Sequence, residues 1–117
     1  MSVTATRTVT IVYTSDVAGT ETVTAASNTA SPGSIEIKTL ASGANTITVP
    51  TGGSTPTAVT ILPPAGNTNL ITLKGIAGDT GVFLHKTDPT SIALDSTLVT
   101  FVLNAAAQII GVRFYWS

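Results

Sequence analysis

The stretch 69–103, NLITLKGIAGDTGVFLHKTDPTSIALDSTLVTFVL, decides the fold of this chain. It contains four short apolar runs, and turn residues such as Gly, Asp and Pro close each run. Within the runs, apolar and polar residues alternate with the period of a β-strand: Ile71 and Leu73 share one face, while Thr72 and Lys74 share the other. The stretch therefore predicts a succession of short β-strands joined by turns.

The rest of the chain continues this pattern. Five strands are predicted before the central stretch and one after it, at 3–14, 21–25, 34–40, 46–49, 58–62 and 109–116. About nine strands spaced by roughly 8 to 12 residues, with no helix between them, predict an all-β antiparallel sandwich or barrel. We expect a jelly-roll-like β-sandwich within that class. At 117 residues the chain has room for one domain, 1–117, in which 2–13 is a candidate N-terminal arm.

Several predictions concern faces and loops. In the strand 34–40, Ile35 and Ile37 alternate with Glu36 and Lys38. The residues predicted to share one face near the C-terminus are Val99, Phe101 and Leu103 in one strand, and Ile110, Val112, Phe114 and Trp116 in the last. The small-residue segment 26–33, ASNTASPG, is predicted to be a loop.

The composition argues against several classes of function. Charged residues make up only 9% of the chain and the net charge is −1, so no basic stripe is available to bind nucleic acid. Threonine supplies about a fifth of the residues, and this side chain suits a solvated strand face. Because solubility normally relies on a more charged surface, we expect much of this surface to pack against neighbouring proteins. A threonine-rich monomeric sandwich is the alternative.

Further absences narrow the choice. No apolar run approaches the length of a transmembrane helix and the N-terminus has no apolar signal segment, so we expect no membrane partner and synthesis in a cytoplasm. Cysteine is absent, which removes disulfides, thiolate metal sites and cysteine nucleophiles. Stability is therefore expected to come from burial and hydrogen bonding.

No constellation of residues predicts catalysis, a cofactor or a metal. The glycines of 75–81, GIAGDTG, loosely resemble a phosphate-binding loop, but a strand follows them where such a loop needs a helix. Asp79, Asp88 and Asp95 lie in separate turns, and turn capping explains them better than a calcium loop. His85 is the only histidine, and neither a nucleophile-elbow motif nor further zinc ligands accompany it. We expect a protein that is not an enzyme.

Four segments carry a resemblance to a known class of protein: 46–50 (TITVP), 70–75 (LITLKG), 78–82 (GDTGV) and 110–116 (IGVRFYW). This succession resembles small virion structural proteins of tailed bacteriophages, which include capsid decoration (cement) proteins and β-sandwich modules of tails. The resemblance implies a protein of the capsid surface, made in the host cytoplasm, whose partners are the major capsid protein or other virion proteins. It also implies a homo-oligomer, with a trimer favoured.

For such a role, the N-terminal segment is expected to add a strand to a neighbour, and the loop 51–56 is expected to make a peripheral contact. The candidate interface residues are Val3, Arg7, Val9, Ile11, Tyr13, Thr51, Ser54 and Thr55. One alternative is a phage tail or baseplate module that binds a host receptor or glycan, and another is an unrelated bacterial enzyme or adhesin domain. The loops 26–33 and 50–56 contain no aromatic residue, which favours the structural role over glycan binding.

Overall fold

The structure is a computed structural model that describes residues 5–8, 10–14, 20–24, 28–30, 34–51 and 55–117. These residues form twelve β-strands and no helix, so they include no helix able to cross a membrane. The strands are β1 (Ala5–Arg7), β2 (Thr10–Thr14), β3 (Thr20–Thr24), β4 (Asn28–Ala30), β5 (Ser34–Leu40), β6 (Gly43–Thr48), β7 (Ala58–Leu62), β8 (Ile71–Lys74), β9 (Val82–Leu84), β10 (Thr90–Ala93), β11 (Thr100–Ala105) and β12 (Ile109–Trp116).

Strands β5 to β12 form two four-stranded antiparallel sheets that pack against each other. One sheet has the order β10-β7-β12-β5 and the other β6-β11-β8-β9. The hydrogen-bonded pairs are nested, because β5 pairs with β12, β6 with β11, β7 with β10 and β8 with β9. One long hairpin of eight strands, wound into two sheets, produces this order, which is that of a jelly roll. The predicted all-β, jelly-roll-like sandwich is confirmed.

The core lies between the two sheets and is centred on aromatic rings. The indole of Trp116 stacks on Phe114 at a centroid distance of 6.2 Å and lies 6.3 Å from the tilted ring of Phe101. Aliphatic side chains from the inner faces of both sheets surround these rings: Leu40, Ile47, Val59, Ile61, Ile71, Leu103, Ile109 and Val112. Burial of these side chains supplies the main stabilising free energy of the sandwich.

The prediction that Ile110 shares the inner face of the last strand with Val112, Phe114 and Trp116 is wrong for Ile110. Ile110 is 69% exposed, and Ile109 is buried in its place. A β-bulge between Ile109 and Val112 inserts one extra residue opposite β5, and Gly111 adopts a φ of 87° there. Because side chains alternate along a strand, one inserted residue moves Ile110 to the outer face and leaves Val112, Phe114 and Trp116 inside.

Two further predictions need correction. Val99 does not share the buried environment of Phe101 and Leu103: it precedes β11, is exposed, and its carbonyl accepts the N–H of Val49 at 2.8 Å. The strand predicted at 46–49 begins three residues earlier, at Gly43. The side chain of Asn45 explains this start, because its amide nitrogen donates to the carbonyls of Ala41, Gly43 and Leu103. Asn45 thereby fixes the short turn that carries the chain from one sheet to the other.

The described residues between Ala5 and Ala30 form two nested ladders, which we call the N-terminal hairpin, and these ladders share no strand with the two sheets. In the predicted single strand 3–14, the structure has β1 and β2, which pair with β4 and β3 respectively. The prediction of a loop at 26–33 is wrong for Asn28–Ala30, which form β4. Thr29 in the middle is compatible with a strand, although the small residues around it made the segment resemble a loop. Within the described residues, each of the two ladders is a two-stranded sheet of its own.

Candidate interaction surface

The edge strand β5 carries its isoleucines on the outside of the sandwich. Ile35 is 65% exposed and Ile37 is 66% exposed. Their register partners on β12 are Tyr115 and Arg113, which lie on the face opposite the buried Phe114. The large aromatic core residues of β12 thus determine which side of the sheet faces inward. Each β5 side chain must point to the same side as its register partner on β12, so Ile35 and Ile37 point outward.

The same parity directs two charged side chains of β5 inward. Glu36 and Lys38 are opposite Phe114 and Val112, both of which are fully buried. The ammonium of Lys38 lies 3.2 Å from a carboxylate oxygen of Glu36, and each side chain remains about one-third exposed. Each of the two charges thus has an opposite charge beside it at the rim of the core. Charges that point inward from an edge strand also discourage uncontrolled edge-to-edge pairing.

We use the name "β5 face" for the outer surface formed by Ile35, Ile37, Leu62, Arg113 and Tyr115. These residues are connected across β5, β12 and β7 by the register of the sheet. Arg113 is the only charged member. Toward β10 the outer surface becomes polar, since the hydroxyl of Thr60 donates to Ser91 Oγ at 3.0 Å. In the part of the chain that the structure describes, β5 is also hydrogen-bonded on one side only.

The candidate interface residues of the N-terminal segment lie in the hairpin or outside the described residues. Arg7 belongs to β1 and pairs with Asn28. Ile11 and Tyr13 belong to β2 and pair with Val23 and Glu21. Val3 and Val9 lie outside the described residues. The expected strand addition to a neighbour stays a prediction.

The loop that follows β6 contains the other candidates. Thr51 and Thr55 are exposed, whereas Ser54 lies outside the described residues. The end of this loop is attached to the C-terminus, because the N–H groups of Thr57 and Ala58 donate to the carbonyl of Ser117 at 2.8 and 3.0 Å.

The hairpin and this loop join the sandwich at the same end of one sheet. Trp116 is the register partner of Ser34, the first residue of β5, and also of Val59 near the start of β7. The chain enters β5 from the hairpin and enters β7 from the loop after β6. These two entry points lie on either side of Trp116. The two segments predicted as interfaces thus leave the sandwich close to the β5 face.

His85 and Asp79, which could suggest catalysis or metal binding, form hydrogen bonds within their own turns. The Nδ1 atom of His85 accepts the N–H of Asp88 at 2.8 Å and that of Thr87 at 3.2 Å, which leaves this nitrogen engaged in a turn. A carboxylate oxygen of Asp79 accepts the N–H of Ile76 at 3.0 Å. Among the described residues there is no group of three or more His, Cys, Asp or Glu side chains that could hold a metal ion.

Asp95 caps the turn before β11. Its carboxylate accepts the hydroxyl of Thr97 at 2.6 Å and the N–H of Thr97 at 2.9 Å. These two hydrogen bonds, the hydroxyl first, hold the pKa of Asp95 below its ordinary value. The interpretation of Asp79 and Asp95 as turn caps is confirmed. The third of these acids, Asp88, has its carboxylate 3.8 Å from His85 Nδ1.

Sequence reasoning missed part of the exposed apolar surface. Phe83 on β9 is 70% exposed and lies on the outer face opposite Thr72. The outward position of Ile110 was also missed, although Gly111 within a strand is a recognised signal of a bulge. The alternation inside β5 taken alone favours the opposite orientation, with Ile35 and Ile37 inward, and only the pairing with β12 reverses it.

No protein-family model, no curated protein and no solved structure matches this chain.

Proposed function

We propose that this protein is a non-enzymatic structural protein of a tailed-phage virion, acting as a capsid decoration (cement) protein. It binds the outer surface of the head and stabilises the head by bridging neighbouring capsomers. Its partners are the major capsid protein and other copies of itself. In this proposal it is made in the host cytoplasm and then joins the capsid surface.

The observation that carries the proposal is the β5 face. An apolar surface on a free edge strand is a liability for a monomer and is expected where a partner covers it. Burying an isoleucine side chain contributes about 1.5–3 kcal/mol when it starts fully exposed. Ile35 and Ile37 are about two-thirds exposed, so together they offer roughly 2–4 kcal/mol to a contact.

A particle lattice makes such modest contacts sufficient. The β5 face joins copies of the chain, and each copy then contacts the head only weakly. Several such contacts made by one oligomer on a repeating surface act with a high effective concentration. The N-terminal hairpin supplies a second contact as an arm, and the exposed Thr51 and Thr55 supply a peripheral one. The resemblance to phage decoration proteins favours a trimer for this oligomer.

The jelly-roll topology is compatible with the proposal. Viral capsid domains use this architecture, but so do lectin domains and other proteins. A fold alone does not assign a function, so the β5 face and the low content of charged residues are the features that favour this role.

A direct test uses heads of the phage that encodes the chain, produced with and without the gene. We expect the purified protein to co-sediment with heads that lack it and to raise the temperature at which those heads release DNA. The variant Ile35→Asp/Ile37→Asp should bind at least tenfold more weakly, because two carboxylates would have to be desolvated in the contact between copies, and a monomer loses the multivalent attachment. The matched control is Thr46→Asp/Thr48→Asp, on the exposed outer face of the other sheet. The proposal would be contradicted if heads made with and without the gene released DNA at the same temperature and the purified protein did not co-sediment with them.

A second candidate function is a tail or baseplate module that binds a host receptor or glycan. The exposed ring of Phe83 favours it, because an exposed aromatic ring can stack on a sugar. In that case, Phe83→Ala would abolish adsorption of phage to the host while leaving the stability of heads unchanged. If the decoration role is correct, the same variant leaves adsorption intact.

A further inference from the structure

An apolar cleft opens at the edge of the sandwich opposite β5. It has a volume of about 530 Å³ and is lined by residues of both sheets and by the loop 75–81. The side chains that form its walls include Leu73, Val82, Ile92, Leu94 and Phe101. β9 and β10 are the end strands of their sheets on this side, so the cleft lies where the core reaches the surface.

Nothing in the cleft suits a polar ligand. Only Lys74 and Asp79 bring charge to its lining. The Asp79 carboxylate already accepts the Ile76 N–H at 3.0 Å, and the Lys74 ammonium lies 3.4 Å from the carbonyl oxygen of Ala77. Val82 is 62% exposed on the apolar wall. The chemistry of the site therefore suits an apolar occupant such as an aliphatic side chain.

The β5 face of the same molecule cannot supply that occupant. β5 and β10 are separated by β12 and β7, a distance of about 14 Å at the usual strand spacing. In addition, Ile35 and Ile37 lie on the outer face of the sheet, whereas Ile92 is paired with the buried Val59 on the inner face. An isoleucine from β5 can reach a cleft only in another copy of the chain.

A second copy also satisfies the electrostatics. Glu36 and Lys38 point to the other side of β5, so Arg113, the register partner of Ile37, is the only charged side chain of the β5 face, and the cleft lining supplies the acid Asp79 beside Lys74. With a net charge of −1, two copies repel each other only weakly. Ile35 and Ile37 project from one face about 7 Å apart, so both side chains can enter one cleft.

We propose that the cleft of one copy binds Ile35 and Ile37 of a second copy. The contact joins two different surfaces on opposite edges of the sandwich, so it is heterologous and generates a closed ring when the rotation between copies permits closure. This inference rests on the self-association that the proposed function includes, and it names the two surfaces that meet.

The absence of native cysteine allows a clean cross-linking test. Ile37→Cys and Val82→Cys, both at exposed positions, are purified separately, mixed under mild oxidation and run on a non-reducing gel. We expect a disulfide-linked dimer in the mixture and at least fivefold less from either variant alone. The matched control is Thr46→Cys mixed with Val82→Cys, which should give only the background level.

Two results would overturn the inference: a mixture no richer in dimer than the Thr46→Cys control, or an Ile37→Cys variant that dimerises as well alone as in the mixture. Thermal unfolding of each variant confirms that the fold is retained. The cross-linking test and the head-binding test can fail separately. If the protein cross-links specifically but never binds heads, the proposed function is wrong and the inference stands. A protein that binds heads but does not cross-link specifically refutes the inference alone.

Discussion

Glu36 and Phe114 are register partners on β5 and β12, so a carboxylate and a fully buried phenyl ring leave the sheet on the same side. Lys38 completes the arrangement, with its ammonium 3.2 Å from the Glu36 carboxylate. The edge strand therefore has its charged side toward the core and its apolar side toward solvent. This inversion is the main departure of the molecule from an ordinary amphipathic sandwich.

The Glu36–Lys38 pair should contribute little to stability and more to solubility. We expect Glu36→Val/Lys38→Val to change the free energy of unfolding by about 1 kcal/mol or less, because partly exposed ion pairs are weak. The same variant should aggregate faster, since both faces of a free edge strand become apolar. Denaturant unfolding and turbidity measure the two effects, and a large loss of stability without aggregation would contradict this role.

Trp116 should be among the most sensitive positions of the core. Trp116→Ala removes the ring that contacts Phe114 and Phe101, at an expected cost of about 3–5 kcal/mol in denaturant unfolding. Trp116→Phe should cost less, because the buried indole N–H has no hydrogen-bond partner among the described residues. Tyr115→Ala, at the half-buried neighbouring position, is the control. Equal losses at Trp116 and Tyr115 would argue against the assigned parity of β12.

Gly81 should not tolerate a side chain. Its φ is 79°, and a Cβ atom would lie 2.5 Å from the carbonyl oxygen of Leu73. We expect Gly81→Ala to destabilise the protein by about 1–3 kcal/mol through backbone strain and this clash. Gly78→Ala in the same loop is the matched control, because a Cβ atom there meets nothing within 4 Å. Thermal unfolding should separate the two variants, and equal midpoints would contradict the loop geometry.

Asp95 should make the stability depend on acid pH. Its folded-state pKa is lowered, chiefly by the Thr97 hydroxyl, so its contribution is present above the unfolded pKa and is lost as the pH falls through the folded value. In Asp95→Asn this titration is absent. The difference in unfolding free energy between the native protein and the variant should therefore shrink below about pH 4. A difference that is constant from pH 6 to pH 2 would exclude the capping role.

The sequence predicted the fold class well because alternation and turn residues are local signals. Ile71 and Leu73 in the central stretch needed only the period of the strand to be placed. The surface was harder to predict, since the inward direction of Glu36 depends on its pairing with β12, 78 residues further along at Phe114. The outward shift of Ile110 depends on one inserted residue at Gly111. The cleft combines residues of β7 to β11 and the loop 75–81, and no sequence pattern marks it.

The measurement that tests the central claim most directly is the molar mass of the purified chain by light scattering after gel filtration. We expect a stable oligomer, with a mass that is a multiple of 11.8 kDa, and a monomer for Ile35→Asp/Ile37→Asp. The control Thr46→Asp/Thr48→Asp should keep the mass of the native protein. A native chain that stays monomeric at every concentration up to the millimolar range would contradict assembly through the β5 face.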